Sequence, residues 1–227
     1  MAEQHDSENK VLVILGHPQS DSLCASMARA YADGAREAGA QVRCLNVGQL
    51  AFNPTLQGYH AAQPLEPDLE AAQADIAWAR HLVWVYPIWW GAMPALLKGF
   101  IDRVFLPGYA FKYRKDSPWW DRLLAGRSAE LLVTMDSPPW YFRWVTRMPG
   151  HHQMKKAILE FCGIRPVKVH SFGPVRSASP ARLAGWVAQA RALGQRQGQK
   201  KIRNAGASAA QAPTAASRPA RPARPAP

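Results

Sequence analysis

Apolar residues along the chain form short β-type segments separated by longer stretches with helical spacing. Segments rich in β-branched and aromatic side chains, or alternating between apolar and polar, predict strands; they cover residues 11–15, 41–47, 82–86, 130–135 and 167–172. Between them, one-sided apolar spacing predicts helices; these cover residues 22–38, 69–80, 92–105 and 152–162, with a last helix after Ser179. Strands that alternate with helices predict an α/β fold, a parallel sheet with helices on both faces.

Residues 81–107 carry the pattern that most favours a ligand site. A buried strand stops at a proline, which has no N–H to donate to a sheet, and an aromatic loop and a helix follow. Ligands of open parallel sheets bind at the carboxyl ends of the strands. The loop tryptophans, Trp89 and Trp90, are therefore either core residues or a flat surface for a planar ring system.

Aromatic side chains are also frequent in two other segments that we predict to be loops, residues 107–126 and 136–150. The first contains Tyr109, Phe111, Tyr113, Trp119 and Trp120. Exposed loops seldom carry so many large apolar side chains, so these either cover the core or face a ligand or a partner.

Length and charge indicate one domain with a separate tail. A chain of 227 residues forms one good core, and its net charge of +12 is concentrated at the end, since seven basic residues and no acid follow from Arg196 onward. We predict a frayed segment at 1–9, a domain at 10–195 and a disordered basic Ala/Pro/Arg tail at 196–227. Because the charge belongs to the tail, we expect no nucleic-acid partner.

Cysteine usage and hydropathy favour a cytoplasmic protein. Cys24, Cys44 and Cys162 are an odd number without metal-type spacing, as expected of reduced thiols, and no metal site is predicted. The N-terminal residues are polar and have no apolar segment of a signal peptide. The uncharged stretch 82–97 is too short to span a bilayer comfortably and contains two prolines, so we expect no stable membrane insertion.

The loop after the first strand has the position of an anion site. Gly16 and His17 follow that strand, and Ser22, Leu23 and Cys24 begin the first helix, where free N–H groups and the helix dipole attract anions. His17 adds a further donor. Ser22 could equally be only the N-cap and His17 a turn residue. The loop is neither a Walker loop nor a GxGxxG fingerprint, which disfavours nucleoside triphosphates and a Rossmann-type nicotinamide site.

With these motifs the chain resembles the flavodoxin-like NAD(P)H:quinone oxidoreductases, which include DT-diaphorase, the drug-activity modulator flavoproteins and the potassium-efflux ancillary flavoproteins. The resemblance covers residues 10–194. Its most specific part is Pro87-Ile88-Trp89-Trp90-Gly91-Ala92-Met93-Pro94, which is similar to the motif that holds the flavin ring. The loop at 16–24 is similar to the family's phosphate loop. Tyr109, Phe111 and Tyr113 resemble a loop that closes over the flavin of the neighbouring subunit.

The chain departs from the family after its fourth predicted strand. Better-known members have two glycines there, whereas this chain has Thr134-Met135-Asp136-Ser137-Pro138-Pro139, so Thr134 carries over and the glycines do not. By the resemblance, Thr134, Met135 and Asp136 line the far edge of the flavin. Tyr141, His151 and His152 are the candidates for the catalytic tyrosine and histidine. A histidine pair at a helix start is otherwise a capping or solvent-exposed feature.

The resemblance implies a five-stranded flavodoxin-like three-layer sandwich of strand order 2-1-3-4-5 that binds flavin, FAD in preference to FMN. It further implies a homodimer that takes a hydride from NAD(P)H and reduces quinone-like acceptors in a ping-pong cycle. Two alternatives remain: a regulatory flavoprotein subunit that binds a membrane transporter, and a one-electron carrier of the flavodoxin type.

Overall fold

In this computed structural model of the protein, residues 9–58 and 63–200 are described. The predicted lead-in 1–9, apart from Asn9, and the predicted tail 196–227, apart from residues 196–200, lie outside the described residues.

Five parallel strands form the central sheet, as the sequence predicts. In chain order the strands of the molecule are β1 (Lys10–Leu15), β2 (Gln41–Asn46), β3 (His81–Pro87), β4 (Phe111–Tyr113), β5 (Trp120–Arg122), β6 (Ser128–Thr134) and β7 (Val167–Phe172). The sheet has the order β2-β1-β3-β6-β7, with every neighbouring pair parallel. Because β4 and β5 lie outside this sheet, β6 and β7 are the fourth and fifth predicted strands, and the predicted order 2-1-3-4-5 is confirmed.

Helices cover both faces of the sheet. They are α1 (Leu23–Glu37), α2 (Pro67–Trp78), α3 (Ala95–Val104), α4 (Pro139–Trp144), α5 (Pro149–His152) and α6 (Pro180–Gly198), with a short 3-10 helix at Val47–Gln49. Alternate residues of a strand face opposite sides. Leu12 and Leu82 therefore pack with α2 and α3, while Val13 and Val83 pack with α1 and α6. All seven residues of β3 are buried, which accounts for the continuous apolar run in its sequence.

Three predicted segments differ in the structure. The segment 107–126, predicted as a loop, contains β4 and β5, which pair as a short antiparallel hairpin. The segment 136–150, also predicted as a loop, contains α4. The predicted helix 152–162 consists of α5 followed by a π-helical stretch at Gln153–Leu159. These elements are three to seven residues long, too short for hydrophobic periodicity to identify them.

Glycines bring α1 and α6 into close contact, and α6 ends later than the predicted domain boundary. A Cβ atom on Gly34 would collide with the carbonyl of Arg191, and one on Gly194 with the carbonyl of Tyr31. Beyond residue 195, Gln197 is 5% exposed, and the Asn9 side-chain amide donates to the carbonyls of Gln197, at 2.6 Å, and Gly198. The folded domain therefore extends past residue 195 and includes Asn9.

A cluster of buried polar side chains lies between α1 and the amino ends of the strands. The Tyr31 hydroxyl donates to Glu130 Oε2 at 3.1 Å, and His81 Nδ1 lies 2.8 Å from Ser128 Oγ. Burial lowers the pKa of His81 to about 3, and the charges of Lys200 and Lys168 act in the same direction. His81 is therefore neutral at pH 7 and holds its hydrogen bond as an uncharged ring.

Candidate functional site

A cleft of about 220 Å³ opens at the carboxyl ends of β1, β3 and β6. Gly16 extends β1 there by donating its N–H to the carbonyl of Val85, and Ile88 donates to the carbonyl of Thr134. The cleft is lined by His17, Ser22, Leu23, Cys24, Pro87, Ile88, Trp89, Thr134, Met135, Asp136 and Val175. Ten of these residues were predicted as cofactor-binding, so three segments far apart in sequence meet where the topology requires.

The first wall is the loop from β1 to α1. Ser22 is the N-cap of α1: its Oγ accepts from the Ala25 N–H at 3.2 Å. The N–H groups of Leu23 and Cys24 belong to the first turn, where a helix offers no carbonyl partner. His17 Nδ1 lies 3.0 Å from the Gln19 nitrogen and 3.2 Å from the Gln19 carbonyl oxygen; in the tautomer that accepts the Gln19 N–H, the neutral ring carries its proton on Nε2. Burial lowers the pKa of His17, so at neutral pH the ring is an uncharged donor.

The floor of the cleft joins α1 to β6 through Cys24 and Thr134. Cys24 Sγ lies 3.3 Å from Thr134 Oγ1, and both side chains are buried. Burial raises the pKa of Cys24 to about 11, so the sulfur is an inert thiol at neutral pH and not a nucleophile. The pair contributes short polar atoms and no charge to the floor.

The two adjacent tryptophans separate in the structure. Trp89 and Ala92 exchange backbone hydrogen bonds of 2.8 and 3.0 Å around a two-residue turn. Both central residues, Trp90 and Gly91, have positive φ, +50° and +79°, as a type I′ turn requires. Trp89 lines the cleft, with its ring 5.5 Å from that of His17. Trp90 and Gly91 are not among the lining residues, because the turn exposes the Trp90 side chain completely.

The far edge of the cleft is built by the loop after β6 and the loop after β7. Met135 donates its N–H to Phe172, and its carbonyl accepts from Val175 at 3.0 Å. Asp136 Oδ1 accepts the N–H of Arg176 at 2.8 Å. Asp136 therefore fixes the second loop, which places Val175 at the cleft. Sequence reasoning missed Val175, because its position depends on this contact between loops and on no local motif.

None of the three predicted catalytic residues lines the cleft. His151 is 7% exposed, and its Nε2 lies 2.9 Å from Ser171 Oγ. Burial lowers the pKa of His151 to about 4, so the ring is neutral. His152 is exposed, and Tyr141 lies on α4 with 42% of its surface exposed. Their catalytic roles stay predictions.

The predicted aromatic loop divides between two places. Phe111 and Tyr113 line a second, apolar cavity of about 560 Å³ between α3 and the end of the π-helical stretch. Phe161 closes it, with its ring 5.1 Å from that of Phe111 and stacked on Trp120 at 4.4 Å. Tyr109 does not line the cavity: its hydroxyl donates to the carbonyl of Gln73 at 2.7 Å. This cavity shares no residue with the cleft.

The described residues contain neither a metal-binding cluster nor a helix that could span a membrane. Its His, Cys, Asp and Glu side chains form no group of three that could bind a metal ion. Within residues 9–58 and 63–200, every helix is too short or too polar to cross a membrane.

Residues 9–193 match the model of a protein family described as having the flavodoxin-like fold. One relative is the ribosyldihydronicotinamide dehydrogenase-like protein traD of Penicillium crustosum, 28% identical over 56% of this chain and 57% of that protein. Another is the ribosyldihydronicotinamide dehydrogenase [quinone] of Rattus norvegicus, 25% identical over 81% of this chain and 91% of that protein. The chain thus spans little more than half of the first relative and nearly all of the second.

Solved structures show the same architecture. Smu.1420 from Streptococcus mutans superposes with a TM-score of 0.71, is 27% identical, and covers 82% of this chain and 99% of its own. An FMN-dependent NADH-azoreductase from Bacillus anthracis, in complex with FMN, superposes with a TM-score of 0.66 at 18% identity, over 83% of this chain and 98% of its own. The second likeness concerns the fold alone.

Proposed function

The chain belongs to the family with the flavodoxin-like fold, and from that membership we propose that it is a flavin-dependent NAD(P)H oxidoreductase that reduces quinone-like acceptors. The observation that carries the proposal is the cleft at the carboxyl ends of β1, β3 and β6, at the switch point of the sheet. Quinone reductases and NAD(P)H oxidoreductases among the relatives support it.

The residues of the cleft suit the phosphate and the ring of a flavin. The His17 Nε2–H and the first-turn amides of α1 are donors for a phosphate, and no acid lies in that turn to repel it. Trp89 offers an aromatic face for the ring, and Ile88 and Met135 offer apolar edges. A bound flavin would supply hydride transfer, while the protein orients it and excludes water. FAD is our first expectation and FMN the second.

We further expect the nicotinamide donor and the acceptor to use the same cleft in turn. The loop after β1 lacks a GxGxxG fingerprint, and the second cavity shares no residue with the cleft. Donor and acceptor would then meet the same face of the cleft, so NAD(P)+ must leave before the acceptor enters. This order gives ping-pong kinetics.

A homodimer is the proposed assembly. The apolar cavity beside the β4–β5 hairpin and the exposed Tyr113 and Trp119, each 65% exposed, form a surface that a second copy would cover. Light scattering at micromolar concentration should therefore give twice the mass of the chain. A cytoplasmic location stays a prediction.

The test begins with the cofactor. Purified full-length protein is heat-denatured, and the supernatant is separated by chromatography against FAD and FMN standards. Anaerobic stopped flow with NADH or NADPH then follows flavin reduction, and initial rates are measured with a quinone. Parallel lines in double-reciprocal plots support the proposal. Intersecting lines, or flavin that stays oxidised for many seconds with both nucleotides, would refute it.

The separation of the two tryptophans gives a matched pair of variants. Trp89→Ala removes the aromatic face at the cleft, and we expect the flavin content of the purified protein to fall by about tenfold or more, since stacking contributes ~1–3 kcal/mol. Trp90→Ala removes a fully exposed side chain and should leave flavin content within about twofold. Equal loss in both variants would contradict this assignment. Flavin absorbance per mole of protein is the measurement.

A further inference from the structure

An exposed aromatic surface lies beside the cleft and is not explained by the proposed chemistry. We call residues 140–148 the aromatic lobe: α4 from Trp140 onward and the turn that follows it. Within it Trp140 is 62% exposed, Trp144 is 72% exposed and Val145 is 54% exposed. Single exposed apolar residues are common, but a contiguous group of this kind marks an interaction surface.

The lobe is a built structure and not a frayed loop. Phe142 is buried and packs its ring 5.0 Å from that of His151. Its carbonyl accepts from the N–H of Met148 and from Thr146 Oγ1, both at 2.9 Å, which closes the turn. At 100° per residue, Trp140 and Trp144 share one face of α4, while Phe142 points the opposite way. The fold therefore holds two tryptophans outward on a single buried anchor.

The lobe is attached to the rim of the cleft at both of its ends. It begins after Asp136, which lines the cleft. Pro149 and Gly150 follow the lobe, and a Cβ atom added to Gly150 would lie 2.6 Å from the carbonyl of Gly91 and 2.9 Å from Ile88 Cδ1. A surface bound by the lobe would therefore lie next to the mouth of the cleft.

Charge identifies the partner. Between Asp136 and Glu160 the sequence has no acidic residue, and the lobe itself carries Arg143 and Arg147. The Arg143 guanidinium lies 5.2 Å from the centre of the Trp144 ring. Two copies of the lobe facing each other would bring these positive charges together. Exposed tryptophan, tyrosine and arginine side chains in one short segment are instead the composition of segments that bind at the interface of an anionic bilayer.

We propose that the aromatic lobe is a docking surface for anionic phospholipid bilayers, with Trp140 and Trp144 entering the interfacial region and Arg143 and Arg147 contacting lipid phosphates. Docking of this kind is peripheral and needs no membrane-spanning helix. The proposal also names an acceptor class, and this part rests on the proposed function. The acceptors would be apolar quinones dissolved in the bilayer, which would reach the cleft from the membrane.

The test measures co-sedimentation of the full-length protein, as purified, with sucrose-filled vesicles. Vesicles of phosphatidylcholine alone are compared with vesicles that contain phosphatidylglycerol. The basic tail is present in every variant, so differences between variants report the lobe. We expect binding to the anionic vesicles that weakens with added salt.

Matched variants separate the lobe from the rest of the surface. One double variant combines Trp140→Ser with Trp144→Ser, and a second combines Arg143→Gln with Arg147→Gln. Each should lower the partition coefficient by about tenfold or more. For the second variant this expectation rests on a loss of about fivefold for each arginine. Arg182→Gln is the matched control: it removes another arginine placed over a tryptophan, at 5.4 Å from the Trp186 ring. This variant should bind like the unmodified protein.

Three outcomes would overturn the proposal: no binding of the unmodified protein to anionic vesicles, equal binding by the lobe variants, or conversion of a dimer to a monomer in the tryptophan double variant. The last would mean that a second copy covers the lobe. Vesicle binding needs no nucleotide. If binding depends on the lobe but NAD(P)H is not oxidised with any quinone, the proposed function fails and the docking surface stands.

Discussion

At the scale of single residues, burial keeps several histidines of the described domain neutral. Burial lowers the pKa of His151 to about 4 and that of His81 to about 3, from an ordinary value of 6.5. A histidine with a lowered folded pKa binds its proton more readily in the unfolded chain. These residues therefore favour the folded state above pH 6.5 and oppose it increasingly as the pH falls toward 4.

Because their pKa values are lowered, these histidines should destabilise the folded protein in acid, and the contribution of His151 can be measured separately. Between pH 6.5 and 4.5, His151 should cost up to about 1.4 kcal/mol of unfolding free energy per pH unit. His151→Gln removes the titration, so its free energy of unfolding should fall less steeply over this range. Urea unfolding of both proteins at several pH values measures the difference. Identical slopes would show that the buried ring does not titrate with a lowered pKa.

At the scale of elements, the contact between α1 and α6 depends on glycine. The carbonyl of Tyr31 occupies the place where a side chain at position 194 would begin. Gly194→Ala should destabilise the protein by about 1–3 kcal/mol, because the two helices must move apart. Gly185→Ala, on the same helix, meets no atom within 4 Å and should stabilise by up to ~1 kcal/mol through helix propensity. Thermal melting of the two variants should shift in opposite directions.

Elements also show what could be predicted from sequence. The central strands β1 and β3 are continuous apolar runs and α1 has a serine cap, so local patterns were sufficient for them. Local patterns also located the cleft, since topology alone brings the loops after β1, β3 and β6 together. The family resemblance and the strand order are confirmed.

The features that local sequence did not reveal have physical causes in particular residues. Trp90 has a left-handed backbone conformation that bulky side chains rarely adopt. The sequence shows only two adjacent tryptophans and does not reveal which of them is turned outward. The segment of α4 is six residues long and mostly aromatic, which gives no helical period. Val175 reaches the cleft through two contacts between loops: its own N–H to the Met135 carbonyl, and the Arg176 N–H to Asp136. Each depends on contacts that local sequence does not encode.

At the scale of the whole molecule, the boundary between domain and tail can be tested by truncation. A chain that ends at Lys200 keeps all of α6 and should match the full-length protein in melting temperature and flavin content. A chain that ends at Gln195 loses buried Gln197 and both carbonyls that bind Asn9, and should unfold at a lower temperature by several degrees. If both truncations behave alike, the last turn of α6 does not contribute to the fold.

The bond from Asn9 to the end of α6 also determines how the molecule can be attached to a surface. It places residue 200 near the start of β1, and the cleft lies at the other end of that strand, about 20 Å away. An electrode or bead linked at residue 200 would hold the domain with the cleft turned toward the solution. A partner protein fused directly after residue 200 would likewise begin on the side opposite the site.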